Sequence, residues 1–209
     1  MSDERPLLVL LHDRGRGPEQ WRDFVGLLEP RFRVLVPDLS DDGELERVRA
    51  LVGDESFGVV GHGTGGALAQ SLVAVGGVEA MVLMDAPRAD GIEDDDLAAF
   101  DFPVLLLWGE DDTDVPVAAA EALNEAIPTS TLGIVPGAGH DLPGEAAATV
   151  APIVYEYLRA RYLGAPHGHD HGHDGIVRIQ LERRPPWVDL EEDERDAWFD
   201  VDEEGEGTT

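Results

Sequence analysis

The sequence predicts an α/β protein: a three-layer sandwich with a mostly parallel, doubly wound six-stranded sheet, carrying an appendage at its C-terminus. Three observations predict it. Six short runs are apolar throughout rather than alternating, as strands buried on both faces are. Stretches with apolar residues at helical spacing separate them, the alternation that builds parallel βα units. Loops rich in Gly, Pro, Asp and His follow the strands, at the end of such a sheet where ligands bind.

Taken in order, Leu7–Leu11 is the first strand and 12–17 its loop. Pro18 opens a helix at the first-turn position that proline favours, and Trp21, Phe24, Val25 and Leu28 recur at helical spacing. Phe32–Val36 is the second strand, closed by Pro37-Asp38. A helix over roughly 44–52 carries Leu45, Val48, Leu51 and Val52 on one stripe. The third strand, Phe57–Val60, runs into a glycine-dense bend, and a helix follows from Thr64 to about Val75. Val78–Met84 is the fourth strand, ended by Asp85-Ala86-Pro87, and 88–102 is a short acidic connection. Val104–Trp108, a helix to about Ile127, Thr131–Val135 and a last helix over about 144–162 complete the domain.

The chain has 209 residues, enough for one domain with a substantial core and some extra. It has no cysteine, so disulfides and thiolate chemistry are excluded and metal ligands are limited to His and carboxylates. Acids number 44 against 15 bases, a net charge of −29, and every base is Arg. The acids are spread along a patterned core, unlike a disordered acidic tail. This balance predicts the surface of a protein from a high-salt cytoplasm, where ions screen self-repulsion. A cationic partner would instead call for a local patch. Nucleic acid is disfavoured, because phosphate contacts need clustered positive charge. No apolar run approaches a membrane span and Met1–Arg5 carries no signal-peptide pattern, so the expected location is cytoplasmic.

The most informative stretch is Val59-Val60-Gly61-His62-Gly63-Thr64-Gly65-Gly66-Ala67-Leu68. A strand-to-helix turn this tight needs residues without a Cβ, so that backbones can pass closely and one residue can adopt a strained φ/ψ. The stretch resembles the nucleophile elbow of the α/β-hydrolases, Gly-x-Ser-x-Gly, with Gly61 and Gly65 in place. Three further segments resemble that family in the right order, over about residues 6–162. Leu10-Leu11-His12-Asp13 is similar to its His-Gly loop. Trp108-Gly109-Glu110-Asp111-Asp112 with Val115-Pro116 is similar to the loop of the triad acid, and Val135-Pro136-Gly137-Ala138-Gly139-His140 to that of the triad histidine. The resemblance implies the α/β-hydrolase fold, esterase-like chemistry with no required cofactor, Asp112 as orienting acid and His140 as base.

Two departures matter. The nucleophile position is Gly63, which rules out an acyl-enzyme there, and the His-Gly loop reads His12-Asp13. The 88–102 connection is also too short for a lid, so the cleft should be shallow and open. The resemblance makes the backbone N–H groups of Thr64 and Arg14 the expected oxyanion donors, with His12, Asp13, Arg14 and Thr64 lining the oxyanion and substrate site. Thr64 is one residue late to be the nucleophile itself, and starts or caps its helix in the alternative reading. Three outcomes remain open. Thr64 could substitute for the serine; Asp112–His140 could act as a bare acid/base pair on a small ester or carbonyl substrate; or the chain could be a non-catalytic pseudoenzyme that binds a ligand, metal ion or protein partner. His62 is expected to bond to backbone and His12 to orient its loop, with a zinc site of His12, His62 and His140 with Asp13 or Asp141 as the rival. Asp85 could cap its turn or serve as triad acid. Arg14 and Arg16 could hold an anionic substrate or be solvated.

After the domain, 1–164, the character changes. A linker, 165–175, holds His167, His169, His171 and His173 at every second position, a pattern that can chelate Zn²⁺, Ni²⁺ or Cu²⁺ on a flexible chain or serve only as a soluble Gly/His linker. The tail, 176–209, carries one candidate strand, Ile176–Leu181, then Trp187, Trp198 and Phe199 amid acids. Its aromatics suggest docking on a sheet edge, its own or that of a second copy in a homodimer.

Overall fold

A computed structural model describes residues 4–39, 43–163 and 177–178. The first strand, β1 (Leu7–Leu11), is buried along its whole length. A 3₁₀ turn (Pro18–Trp21) leads into α1 (Arg22–Leu28), so the helix predicted from Pro18 begins as a tighter coil. The second strand is shorter than predicted: β2 spans Arg33–Leu35, while Phe32 packs wholly inside the core. Then come α2 (Glu44–Val52), β3 (Phe57–His62), α3 (Thr64–Leu72) and β4 (Val78–Met84). The acidic connection holds only the five-residue α4 (Asp94–Ala98), closed by a reciprocal capping box between Glu93 and Asp96. After it come β5 (Val104–Gly109), α5 (Val117–Ala126) and β6 (Ser130–Val135). The final helix is two: α6 (Leu142–Glu145) and α7 (Ala147–Leu163).

All strands are parallel, in the order β2-β1-β3-β4-β5-β6-β7, where β7 is the pair Val177–Arg178. This seventh strand sits on β6 with Val177 opposite Gly133. It falls within the tail segment predicted to add a strand. The docking of the tail aromatics, homodimerisation and the histidine run 167–173 lie outside the described residues.

The sheet separates two cores, and alternate residues of one strand feed each. Leu7, Val9 and Leu11 pack with Val48, Leu72 and Leu123, from α2, α3 and α5. Leu8 and Leu10 pack with Phe24, Leu28, Val150 and Val154, from α1 and α7. This is why the strands read as continuous apolar runs. Each fully buried Leu or Val contributes about 1.5–3 kcal/mol, so the sheet is a rigid frame for the loops at its C-terminal edge.

The strand order fixes where those loops meet. The chain leaves β1 towards β2 on one side, then returns to place β3 on the other, so β1 and β3 flank the switch point. Their register pairs Leu11 with Gly61. Two residues further on, Asp13 comes beside Gly63.

Candidate active site

The bend after β3 has the predicted geometry. Gly63 sits at φ 54°, ψ −125°, a conformation costly for residues with a side chain, and α3 starts at the next residue. Gly65 lets α3 approach β1: a Cβ there would lie 2.3 Å from the Leu11 carbonyl oxygen. The imidazole and the acid arrive from two other loops. His140 Nδ1 donates to Asp112 Oδ2 at 2.9 Å. Asp112 is in turn fixed by the N–H groups of Asp114 and Val115, which donate to its Oδ1 at 2.8 and 2.9 Å. With Nδ1 as donor, neutral His140 presents the Nε2 lone pair to the open side, and its side chain is 23 % exposed.

The group facing that lone pair is Asp13, whose Oδ2 lies 4.0 Å from His140 Nε2. Its Oδ1 accepts the backbone N–H and the hydroxyl of Thr64, both at 2.8 Å. Burial alone would raise the Asp13 carboxyl, but the two Thr64 bonds, with the nearby His62 ring and the Arg14 N–H, together hold the group below the usual carboxylate range.

These bonds correct the expected oxyanion donors. Arg14 N–H is engaged, donating to Thr64 Oγ1 at 2.7 Å, and Thr64 N–H is engaged by Asp13. The Thr64 hydroxyl therefore bridges α3 to the β1 loop, with Asp13 rather than His140 accepting its proton. The Arg16 guanidinium pairs with Asp141 Oδ2 at 3.0 Å.

His12 and His62 bond to backbone. His12 Nδ1 donates to the Asp13 carbonyl and its Nε2 accepts from Leu39 N–H, each at 2.9 Å. His62 Nε2 donates to the His140 carbonyl at 2.6 Å. Burial lowers the affinity of His62 for a proton, which keeps it neutral. With both nitrogens of His12 and of His62 engaged, neither ring is free for zinc, and among the described residues no three His, Asp or Glu side chains could hold a metal ion.

Two residues have roles that sequence reasoning missed or underrated. Gln20, on the 3₁₀ turn, joins three loops: its Oε1 accepts Asp13 N–H at 3.1 Å, and its Nε2 donates to His62 Nδ1 at 3.1 Å and Asp141 Oδ1 at 3.2 Å. No local pattern marks it. Asp85 is fully buried at φ 47°, and its Oδ1 accepts Gly109 N–H at 2.9 Å, tying β4 to the acid loop. Its Oδ2 has no hydrogen-bond partner and lies 3.7 Å from His62 Nε2. Burial pushes its pKa up to about 8, so it is protonated at neutral pH.

A parallel sheet with this strand order, an elbow after β3, and an acid and a histidine on the loops after β5 and β6 define the α/β-hydrolase fold. Comparison with known proteins agrees. A family model described as TAP-like protein, of the α/β-hydrolase kind, matches residues 84–168, which include Asp112 and His140 but less than half of the chain. No curated protein matches the sequence significantly. Among solved structures, the chain resembles 2-hydroxy-6-oxo-6-phenylhexa-2,4-dienoate hydrolase from Rhodococcus sp. strain RHA1 at 18 % identity and TM-score 0.67, over 75 % of this chain and 92 % of that one. It also resembles a thermophilic esterase from Thermogutta terrifontis at 19 % identity and TM-score 0.67, over 76 % and 90 %. A third likeness is to a predicted CIB-like hydrolase from Thermoplasma acidophilum, at 21 % identity and TM-score 0.68, over 76 % and 88 %. At these identities the likeness is one of fold. No described helix is long and apolar enough to cross a membrane.

Proposed function

We propose that this is an α/β-hydrolase-like protein in which the Asp112–His140 pair acts as a general base on a small, accessible ester-like or carbonyl substrate, without a serine nucleophile. The observation that carries the reading is the 2.9 Å bond from His140 Nδ1 to Asp112 Oδ2, which orients the imidazole so that its other nitrogen, Nε2, faces the loop after β1. Base catalysis of this kind contributes about 10²–10⁴-fold. With Thr64 N–H engaged by Asp13, oxyanion stabilisation adds little. Reactive substrates and slow turnover follow. The acidic composition fits a high-salt cytoplasm, and the histidine run 167–173 fits Zn²⁺ or Ni²⁺ binding that would vanish when the run is deleted.

A second reading has its own support. Both expected oxyanion donors already have partners within the protein, as in a binding protein that has left acyl transfer behind. A p-nitrophenyl acetate assay at high salt separates the two. His140→Ala should abolish the enzyme-dependent rate, and Asp112→Asn should lower it by about 10²-fold or more. A wild type no faster than buffer, or a His140→Ala variant as fast as wild type, leaves the binding role.

A further inference from the structure

His140 is held at both ends. Its ring Nδ1 donates to Asp112, and its main-chain carbonyl accepts His62 Nε2–H at 2.6 Å. The second grip comes from beneath the elbow. His62 is the last residue of β3, one before Gly63, and is 1 % exposed. Its ring packs against that of His140, with the centroids 5.0 Å apart.

The protonation state of His62 follows from the chain of bonds that it closes. Asp13 N–H can only donate, so the Gln20 atom it meets is the carbonyl oxygen Oε1. The amide nitrogen of Gln20 is thereby placed on the other side, where it donates to Asp141 Oδ1 and His62 Nδ1. Nδ1 therefore carries no proton. The ring proton sits on Nε2, where the His140 carbonyl accepts it. Every other arrangement sets two donors or two acceptors against each other. The acids around the ring do not disturb this state. Asp85, at the end of β4, brings Oδ2 to 3.7 Å from His62 Nε2, but burial keeps it protonated at neutral pH. Asp13 is bound by Thr64, and Asp141 by Arg16 and Gln20.

We propose that His62 is a positioning residue for His140, with its tautomer set by Gln20: neutral His62 fixes the main chain of His140 as Asp112 fixes its ring. The kinetic consequence rests on the reading of His140 as a general base. Held at one end only, the imidazole would pivot about the Asp112 carboxylate and Nε2 would lose its aim. An error of about 1 Å in a reacting group costs up to about 10²-fold in rate. His62 is sealed below the site, so the loss falls on kcat and spares KM.

The test joins imidazole ¹⁵N NMR to p-nitrophenyl acetate kinetics at high salt, both on the full-length protein. Wild type at about pH 7 should show His62 as the neutral Nε2–H tautomer. His62→Leu should lower kcat by about 10–10²-fold with KM within about twofold. His62→Gln, whose amide N–H extends to the same carbonyl, should recover most of that loss. Gln20→Glu puts an acceptor opposite His62 Nδ1, so it should place a proton there and lower kcat in turn. This variant keeps His62 itself, so its outcome does not depend on how a smaller side chain packs. A wild-type His62 protonated on Nδ1, an undiminished kcat in His62→Leu, or an Nδ1 proton with undiminished kcat in Gln20→Glu would each overturn the proposal. So would a loss in His62→Gln as large as in His62→Leu, which would make His62 a packing residue. A wild type without ester hydrolysis removes the general-base reading instead. Positioning is then read from the His140 Nδ1–H resonance, which should be sharp in wild type and broadened by exchange in His62→Leu; an unchanged resonance would sink it.

Discussion

A serine placed at position 63 would not find room. Its Cβ would meet Asp13 Oδ1 at 2.3 Å, at a φ of 54° that already disfavours a side chain. Gly63→Ser alone should therefore cost about 1–3 kcal/mol by urea unfolding and form no acyl-enzyme. Pairing it with Asp13→Gly frees both the space and the Thr64 N–H. The double variant should give a p-nitrophenol burst approaching one per chain, and an equal burst from the single variant would show that Asp13 does not occupy the nucleophile's place. Asp85 supports a pH prediction. Its pKa is raised to about 8, so between the ordinary carboxylate range and pH 8 the folded state holds a proton that the unfolded state has lost. Stability from this group is full below about pH 4 and falls as pH rises through about 8. Asp85→Asn should flatten that fall in thermal melts from pH 4 to 9; an unchanged slope would mean that Asp85 is not the titrating group.

Elements, more than single side chains, bring the site together, and the turn Pro18–Trp21 holds three of its loops through Gln20. Gln20→Ala leaves Asp13 N–H and His62 Nδ1 without their partner. It should cost about 1–3 kcal/mol, measured by urea unfolding, and slow the ester reaction as the Asp13 loop loosens. A variant as stable and active as wild type would make the bridge incidental. Much of this layer was legible in the sequence. The strands could be read because burial on both faces makes them apolar throughout, and the bend at 61–66 because the close backbone approaches at Gly61 and Gly65 leave no room for a Cβ. The acid and histidine loops could be read because each follows its strand directly. Gln20 could not, since its partners lie 7, 42 and 121 residues away and nothing at its own position marks them. The pairing of Asp13 with Gly63 was half visible. Both departures stood in the sequence, but only the register of β1 on β3 shows that one fills the gap left by the other.

At the scale of the whole molecule, the acidic charge balance bears on stability in salt. A net charge of −29 on 209 residues opposes compaction, because unscreened acids repel one another at short range. The screening length is about 10 Å at 0.1 M salt and about 3 Å at 1 M, so molar salt removes most of that repulsion while hydrophobic burial persists. Raising KCl from 0.1 to 2 M should therefore lift the melting temperature by about 5–10 °C, the shift that about 2–3 kcal/mol produces in a chain of this size. NaCl should act almost as well, since screening depends on ionic strength. Residues 176–209 carry 12 acids and 4 Arg, only a minor share of the net charge, so deleting them should reduce the salt effect without removing it. If the acids instead served a cationic partner, the response would be local and the melting temperature nearly flat in salt. A flat or falling curve for the intact chain would reject self-repulsion as the main cost, and would turn attention to whatever cation those carboxylates meet.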